Sequence, residues 1–317
     1  MVKNKILIFS DADNEELDAV LKFLPKSSYF VVVQNFIHVN YEFELDATSN
    51  RFSIVDIKTK IVLKSEQVKT VWIANYRSIY SSHKNSDPSL VSFFSQEYHS
   101  LICGIVACLE AKGVKIVNHP SVTYDAGDKI RQMIVAKKVG LKLPSQTISN
   151  RAKVILDKNW ISNSVFKPLH SSNLLYMNQK RYMSKPVFVN KEILAEIKKG
   201  HVEFTLHHFQ EKIDFISEYR VIVFNKKIFA FKIKGDYKLD WRDHIGKISI
   251  DYDKTFQLKK ECLSYMKHFN LSLGAFDFME AKNGMFFIEC NPPGHFYFCD
   301  KNNSSGMISE FASYLLK

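Results

Sequence analysis

The chain has 317 residues, and its 44 Lys and Arg against 33 Asp and Glu give a formal net charge of +11. With 46% apolar and 24% charged residues, the composition is that of a folded globular protein of two or three domains, and it excludes disordered, collagen-like and coiled-coil proteins. The sequence shows neither a signal-peptide core nor an apolar run near the roughly 20 residues of a membrane span, which predicts a cytoplasmic location.

The cysteines and the net charge limit the kinds of partner and site. Five cysteines, an odd number with no CxxC pair among them, favour reduced thiols over a disulfide framework or a zinc site. The excess of positive charge allows a polyanionic partner, such as a nucleic acid, a nucleotide or an acidic peptide.

The first 117 residues alternate strands with helices. The predicted strands cover 5–10, 29–36, 68–73 and 114–117, and the predicted helices cover 14–23 and 88–113. Asp87 and Pro88 are typical of a helix start, and Gly113 is typical of a helix end. Such alternation indicates a parallel sheet covered by helices, so we predict an N-terminal α/β domain over residues 1–117.

After residue 117 the pattern changes to α+β. The predicted helices cover 128–139, 191–199, 255–269 and 307–315. The predicted strands cover 145–148, 164–167, 174–189, 202–233, 273–280 and 285–291. We divide this part of the chain into a central lobe, 118–205, and a C-terminal lobe, 206–317.

The segment from 274 to 296 carries the strongest chemical signal. An Asn-Gly pair between two apolar runs predicts a β-hairpin, which places Asp277 opposite Glu289 to within one residue. Glu289 and Asn291 lie two apart on one strand and therefore share a face. Two carboxylates and an amide oxygen suit Mg²⁺ that also binds phosphates. The alternative is a hairpin with a polar outer face.

Other charged side chains could bind a nucleotide. Lys129 opens a helix and Lys167 ends a strand, where each could reach a phosphate or could instead extend into solvent. Glu218 and Arg220 share a strand face, so they could bind a ribose hydroxyl and a phosphate, or could form a surface ion pair. The same alternatives apply to two further basic residues, Lys232 and Arg242.

Taken in chain order, these segments resemble the ATP-grasp superfamily. The resemblance is carried by Lys129, Lys167 before a proline, QEKI at 210–213, EYR at 218–220, DWR at 240–242, Asp277, and ECN at 289–291. Within the superfamily the chain resembles the microviridin-type (graspetide) peptide ligases, through VW at 71–72 followed by Arg77 and through the closing FIECNPPGHFYF. These ligases join side chains of a ribosomal precursor peptide into ω-esters or ω-amides.

The resemblance implies an ATP-grasp fold of α/β and α+β type, with an N-terminal α/β domain and with ATP and Mg²⁺ as cofactors. It implies Mg²⁺ ligands at Asp277, Glu289 and Asn291. It implies nucleotide contacts, through side chains or backbone groups, at Lys129, Lys167, Glu211, Lys212, Ile213, Glu218 and Lys232. It implies that Arg220 and Arg242 face the γ-phosphate and the acyl intermediate as catalytic residues.

The resemblance also implies a reaction and a partner. An Asp or Glu side chain of the peptide would be activated as an acyl phosphate, with release of ADP, and then attacked by a hydroxyl or an amine. The precursor would carry a leader and an acidic core, and the enzyme would be a homodimer that binds neither nucleic acid nor membrane. His295 is either a general base or a structural residue.

The chain departs from the family pattern at three places, which are IANYR at 73–77, HSSN at 170–173 and His295. Two other functions stay open at this stage. One is an ATP-grasp ligase that adds free amino acids to a small molecule or to a protein C-terminus. The other is a non-catalytic module that binds polyanions.

Overall fold

The structure is a computed structural model, and it describes residues 4–34, 37–74, 88–169, 174–177, 180–183, 186–200, 206–237, 239, 241–244 and 246–317. Several residues used in the predictions lie outside the described residues, namely Arg77, Asp87, 170–173 and 201–205, together with the side chain of Arg242.

A parallel sheet and an antiparallel sheet form residues 4–117. The strands are β1 (Lys5–Ser10), β2 (Tyr29–Val33), β3 (Tyr41–Asp46), β4 (Arg51–Asp56), β5 (Val62–Lys64), β6 (Val68–Ile73) and β7 (Lys115–Val117). The helices are α1 (Glu15–Leu21), α2 (Ile37–Asn40) and α3 (Pro88–Glu110). The predicted parallel sheet runs in the order β2-β1-β6-β7. Strand β1 lies inside it and is buried over almost its whole length, which explains its continuous apolar sequence.

The antiparallel sheet of β3, β4 and β5 was missed by the sequence analysis. Its signal is present in the sequence, because apolar Tyr41, Phe43 and Leu45 alternate with Glu42 and Glu44. Charged residues at every second position make such a strand easy to mistake for a loop, although one face of it packs against the domain core.

The middle of the chain forms a small antiparallel sheet and several helices. The strands are β8 (Gln146–Ser149), β9 (Ser164–Lys167), β10 (Leu174–Met177), β11 (Lys180–Met183), β12 (Val187–Phe188) and β13 (His207–Glu211). The helices are α4 (Pro120–Gly127), α5 (Lys129–Lys138), α6 (Ala152–Leu156) and α7 (Lys191–Lys198). The small sheet packs with α6 and α7, while α4 and α5 pack against the five-stranded sheet that the rest of the chain forms. The small sheet runs in the order β12-β9-β13-β8, and β10 pairs with β11. Strand β13 therefore belongs to this sheet, although the predicted boundary places it in the C-terminal lobe.

A five-stranded antiparallel sheet forms the rest of the molecule, in the order β16-β15-β14-β17-β18. Its strands are β14 (Phe215–Phe224), β15 (Lys227–Gly235), β16 (Ile248–Tyr252), β17 (Leu273–Ala281) and β18 (Gly284–Asn291). The helices are α8 (Lys259–Phe269), which begins four residues later than predicted, and α9 (Met307–Leu316). Strands β17 and β18 form the predicted hairpin.

Alternate residues of β14 face opposite sides of the five-stranded sheet. Ile222 and Phe224 pack in a core with α1 and α9, whereas Val221 and Val223 pack in a second core with α5 and α8. Burial of each such side chain contributes about 1.5–3 kcal/mol, so the register of the sheet is strongly fixed. This alternation decides which charged side chains can meet on one face.

Within the described part of the chain, no helix is both long enough and apolar enough to cross a membrane.

Candidate functional site

A cleft lies between the small sheet and the five-stranded sheet. Its charged and polar lining consists of Lys129, Lys167, Gln210, Lys212, Glu218, Asp277 and Glu289. Its apolar lining consists of Val165, Pro186, Phe188, Ile213, Phe215, Leu239, Trp241, Met279 and Ile288. A cleft with an apolar part beside a charged part can hold a ligand that has a flat ring at one end and anionic groups at the other.

The β17–β18 hairpin supplies the acidic side of the cleft. Asp277 pairs directly with Glu289 across the hairpin, as predicted. Asn291 connects the two carboxylates, because its Nδ2 donates to Asp277 Oδ2 and to Glu289 Oε1, both at 3.2 Å. The three side chains thus converge on one face, where rotation of the Asn291 amide would present its oxygen beside the carboxylates.

Two buried amides hold this hairpin in place, and the sequence analysis missed both. The side chain of Asn118 donates to the carbonyls of Leu273 and Pro292, at 2.6 and 2.7 Å. The side chain of Gln132 donates to the carbonyl of Cys290 and accepts from its N–H, at 2.7 and 2.9 Å. Because an unpaired amide would be costly in the interior, these bonds fix the open end of the hairpin, where β17 begins and β18 ends.

Arg220 lies behind the carboxylates instead of facing the cleft. Its side chain is 2% exposed, and its Nη1 donates to Asp277 Oδ1 at 2.7 Å and to Oδ2 at 2.9 Å. Its Nη2 donates to the carbonyls of Gly294 and His295, at 2.7 and 2.9 Å. Burial alone would lower the pKa of Arg220, but the Asp277 carboxylate outweighs it and the pKa is raised. Nη1 and Nη2 of Arg220 are thus directed to Asp277 and to the loop, and a contact with phosphate oxygens stays a prediction that this geometry does not favour.

Two lysines supply the basic side of the cleft. Lys167 Nζ donates to Gln210 Oε1 at 2.8 Å, and burial, together with the positive charge of Lys129, lowers the pKa of Lys167 to about 8. Lys129 Nζ donates to the carbonyl of Pro168 at 3.1 Å and lies 4.0 Å from Glu289 Oε2. The ammonium group of each lysine can donate further hydrogen bonds, since it has three N–H donors. Both lysines therefore lie where an anionic ligand would meet them.

Glu218 and Lys232 lie on opposite faces of the five-stranded sheet. Glu218 is buried and lines the cleft. Lys232 pairs across strands with Tyr219, whose side chain packs in the core of α5 and α8. The Nζ of Lys232 lies 2.6 Å from the Glu280 carboxylate. Lys232 therefore lies on the face away from the cleft, and its contact with a nucleotide stays a prediction that this geometry does not favour. Strand parity, which places 218 and 232 on different faces once the register is known, is the reason.

The segment 211–213, which the resemblance assigns to nucleotide contacts, has only some of its backbone groups available for hydrogen bonds with a ligand. The N–H of Glu211 donates to the carbonyl of Ser145 at 2.8 Å, and the N–H of Lys212 donates to that of Asn163 at 3.0 Å. Both groups are therefore engaged in holding the small sheet together. Lys212 and Ile213 line the cleft, whereas Glu211 is not among its described lining residues.

Three further residues near the cleft and its loops are placed as follows. Arg242 lies on the short 3₁₀ helix Trp241–His244, beside the cleft-lining Trp241, but its side chain lies outside the described residues. The side chain of His295 is exposed, and its backbone carbonyl accepts from Arg220 Nη2. His208 is buried opposite Lys167, and burial lowers its pKa to about 4.

The donor set of the acidic face suits a hard cation bound together with phosphates. Among the described residues, no group of three His, Cys, Asp or Glu side chains forms a metal site of its own. Asp277 and Glu289 with Asn291 offer oxygen ligands only, and Mg²⁺ is typically held by one or two carboxylates while substrate phosphates and water complete its coordination. The residues present therefore fit a Mg²⁺–nucleotide better than a free metal ion.

Sequence comparisons give no match, but structural ones do. Neither a protein-family model nor a curated protein matches the chain. The macrocyclase MdnC from Microcystis aeruginosa MRC, bound with precursor peptide MdnA, is 22% identical with a TM-score of 0.85, and the match covers 98% of this chain and 99% of that chain.

Two other solved structures are also similar in fold to this chain. A RiPP-associated ATP-grasp ligase from Chryseobacterium gregarium, in complex with ADP and a leader and core peptide, is 20% identical with a TM-score of 0.84 over 98% of this chain and 96% of that chain. The ATP-grasp ligase PsnB, complexed with minimal precursor, Mg and ADP, is 14% identical with a TM-score of 0.74 over 100% and 99%. At these identities the likeness shows the fold, and the chain has the predicted ATP-grasp fold, arranged as in these ligases.

Proposed function

We propose that the chain is an ATP-dependent, ADP-forming ligase that joins side chains of a ribosomal precursor peptide. The observation that carries the proposal is the cleft in which Lys129 and Lys167 face the Asp277–Glu289 pair. Two cations and two carboxylates that line one cleft can hold a Mg²⁺–nucleotide between them. The likeness to ligases that were crystallised with ADP and with precursor peptides supports the same reading.

The proposed nucleotide orientation follows from the lining of the cleft. The apolar side chains enclose the adenine, and the backbone of Ile213 and the carbonyl of Lys212 face it, while the buried Glu218 accepts from the ribose. Lys129 and Lys167 bind the phosphates. Asp277, Glu289 and Asn291 would hold Mg²⁺, which when bound neutralises negative charge on the transferred phosphoryl group.

The chemistry proposed for the peptide follows from charge. An Asp or Glu side chain is ionised near pH 7 and is repelled by the γ-phosphate, so bond formation between them needs positive charge close by. The two cleft lysines supply that charge, and we include Arg242 because its helix borders the cleft. The resulting acyl phosphate is attacked by a hydroxyl or an amine of the same peptide, and no covalent enzyme nucleophile is needed.

The proposal extends to partner, assembly and location. The partner is a precursor peptide with a leader and an acidic core, which suits a chain of net charge +11. We further propose a homodimer, which light scattering on the purified protein would test. A cytoplasmic location fits the need for ATP and the five free cysteines.

The decisive experiment combines the purified chain, MgATP and candidate precursor peptides encoded beside its gene. We expect the peptide to lose about 18 Da, one water, for each bond, with one ADP and one phosphate released. The Glu289→Gln variant, which keeps the side-chain shape and loses one carboxylate, is the control and should release no ADP.

Other outcomes of this experiment would contradict the proposal in distinct ways. AMP and pyrophosphate would indicate adenylation. ADP released only when free amino acids are supplied would favour a ligase for small molecules or protein C-termini. Salt-sensitive binding of RNA or DNA without ATP consumption would favour a polyanion-binding module.

A further inference from the structure

One buried carboxylate of the N-terminal part reaches the back of the cleft. Glu16 lies in the first turn of α1, where the sequence suggests no more than an acid that favours a helix N-terminus. In the structure it is 8% exposed. Its Oε2 accepts hydrogen bonds from the N–H of Phe296 at 2.6 Å and from the N–H of Tyr297 at 3.3 Å.

The loop that Glu16 holds is the loop that orients Arg220. The carbonyls of Gly294 and His295, directly before Phe296, accept from Arg220 Nη2. The other end of the same guanidinium binds both oxygens of Asp277. A continuous chain of hydrogen bonds therefore runs from Glu16 through the loop and Arg220 to the carboxylate at the cleft.

Packing alone does not explain a carboxylate at this position. Burial raises the pKa of Glu16 to about 7, which shows that the charged group is unfavourable there despite the N–H donors and the nearby charge of Arg220. An amide of the same shape would accept the same hydrogen bonds at a lower desolvation cost. A negative charge behind the loop adds a further attraction for Arg220 and so restrains its guanidinium.

We propose that Glu16 is a positioning residue for Asp277, acting through the 294–297 loop and Arg220. The proposal rests on the proposed function only in assigning Asp277 to the nucleotide side of the cleft. Glu16 is not among the residues that line the cleft, so it acts through other residues. Its effect is to fix the direction of one carboxylate by fixing the backbone that holds the guanidinium.

The kinetic test compares Glu16→Ala and Glu16→Gln with Glu15→Ala, a control at an exposed position of the same helix. We expect kcat to fall by about 10-fold or more in Glu16→Ala, and by roughly 3-fold in Glu16→Gln, which keeps an acceptor oxygen. The KM for ATP should change by less than about 2-fold, because the lysines and the apolar lining are untouched. A role confined to stability would lower the melting temperature and leave kcat unchanged, which would overturn the proposal.

A structural test needs no turnover. In a crystal structure of Glu16→Ala, or of Glu16→Met, which fills the same space without an acceptor oxygen, if the alanine variant does not fold, we expect the 294–297 loop to shift and the paired contact between Arg220 and Asp277 to be lost or lengthened. An unchanged contact in the variant would overturn the proposal even if the enzyme is active. A wild-type chain that releases no ADP would instead contradict the proposed function, and the crystal structure would still decide the role of Glu16.

Discussion

Arg220 binds both carboxylate oxygens of Asp277 through a single guanidinium nitrogen, at 2.7 and 2.9 Å, and the arginine is 2% exposed while the aspartate is 14% exposed. The pair therefore joins the cleft to the molecular interior. Removal of one partner of a buried ion pair leaves the other charge uncompensated, which costs far more than the pair itself contributes.

This relationship separates the effects of two substitutions in the acidic hairpin. Asp277→Asn and Glu289→Gln should each abolish ADP release, because each removes a proposed Mg²⁺ ligand. Only Asp277→Asn should also lower the free energy of unfolding, by about 3–5 kcal/mol, because it leaves Arg220 without its counter-charge. Urea denaturation of both variants measures the difference, and equal stability of the two would contradict the importance of the Arg220 pair.

Lys232 provides a test of the strand-parity argument. Because its side chain lies on the face away from the cleft, Lys232→Met should change the KM for ATP by less than about 2-fold, whereas Lys167→Met should raise it at least about 10-fold. Loss of the partly exposed contact with Glu280 should cost less than about 1 kcal/mol of stability. Initial-rate kinetics of the two variants measure these KM values. A similar increase in both would contradict the strand-parity argument and support the original prediction for Lys232.

The pKa of Lys167 predicts a pH dependence of nucleotide capture. Burial lowers this pKa to about 8, so in the free enzyme the ammonium loses its proton as the pH rises through 8. The value of kcat/KM for ATP, which reports the free enzyme, should therefore fall by up to about tenfold per pH unit above pH 8. Lys167→Arg keeps its charge in this range and should remove the decline. A decline of the same steepness in that variant would assign it to another group.

Glu16 predicts a pH dependence of stability with a definite sign. Its pKa rises from 4.5 to about 7 on folding, mainly through burial, so folding disfavours the charged form. As the pH rises from 4.5 through 7, the free energy of unfolding of the wild type should therefore fall relative to that of Glu16→Gln. The expected decrease is on the order of 3 kcal/mol. Urea denaturation of both proteins at pH 5 and pH 8 measures the change. A constant difference between them would show that Glu16 does not titrate in this range.

Local sequence signals predicted the elements that lie close together along the chain. The hairpin register that pairs Asp277 with Glu289 followed from an Asn-Gly turn, which fixes two adjacent strands by its own geometry. The parallel sheet of the first 117 residues followed in the same way from alternating apolar strands and helices. The sequence analysis missed the three-stranded sheet of residues 41–64, because glutamates at alternate positions of β3 made its apolar face hard to recognise.

The tertiary structure alone decided how distant residues combine. The sequence by itself was enough to identify the ATP-grasp segments, the acidic hairpin and the two cleft lysines, because each is recognised from a short run of consecutive residues. Only the folded chain shows that Arg220 binds Asp277, that Lys232 faces away from the cleft, and that Glu16 holds a loop 280 residues further along. These relationships depend on the register between strands and on the packing of one core against another, since local periodicity fixes the face of a side chain but not the partner that meets it.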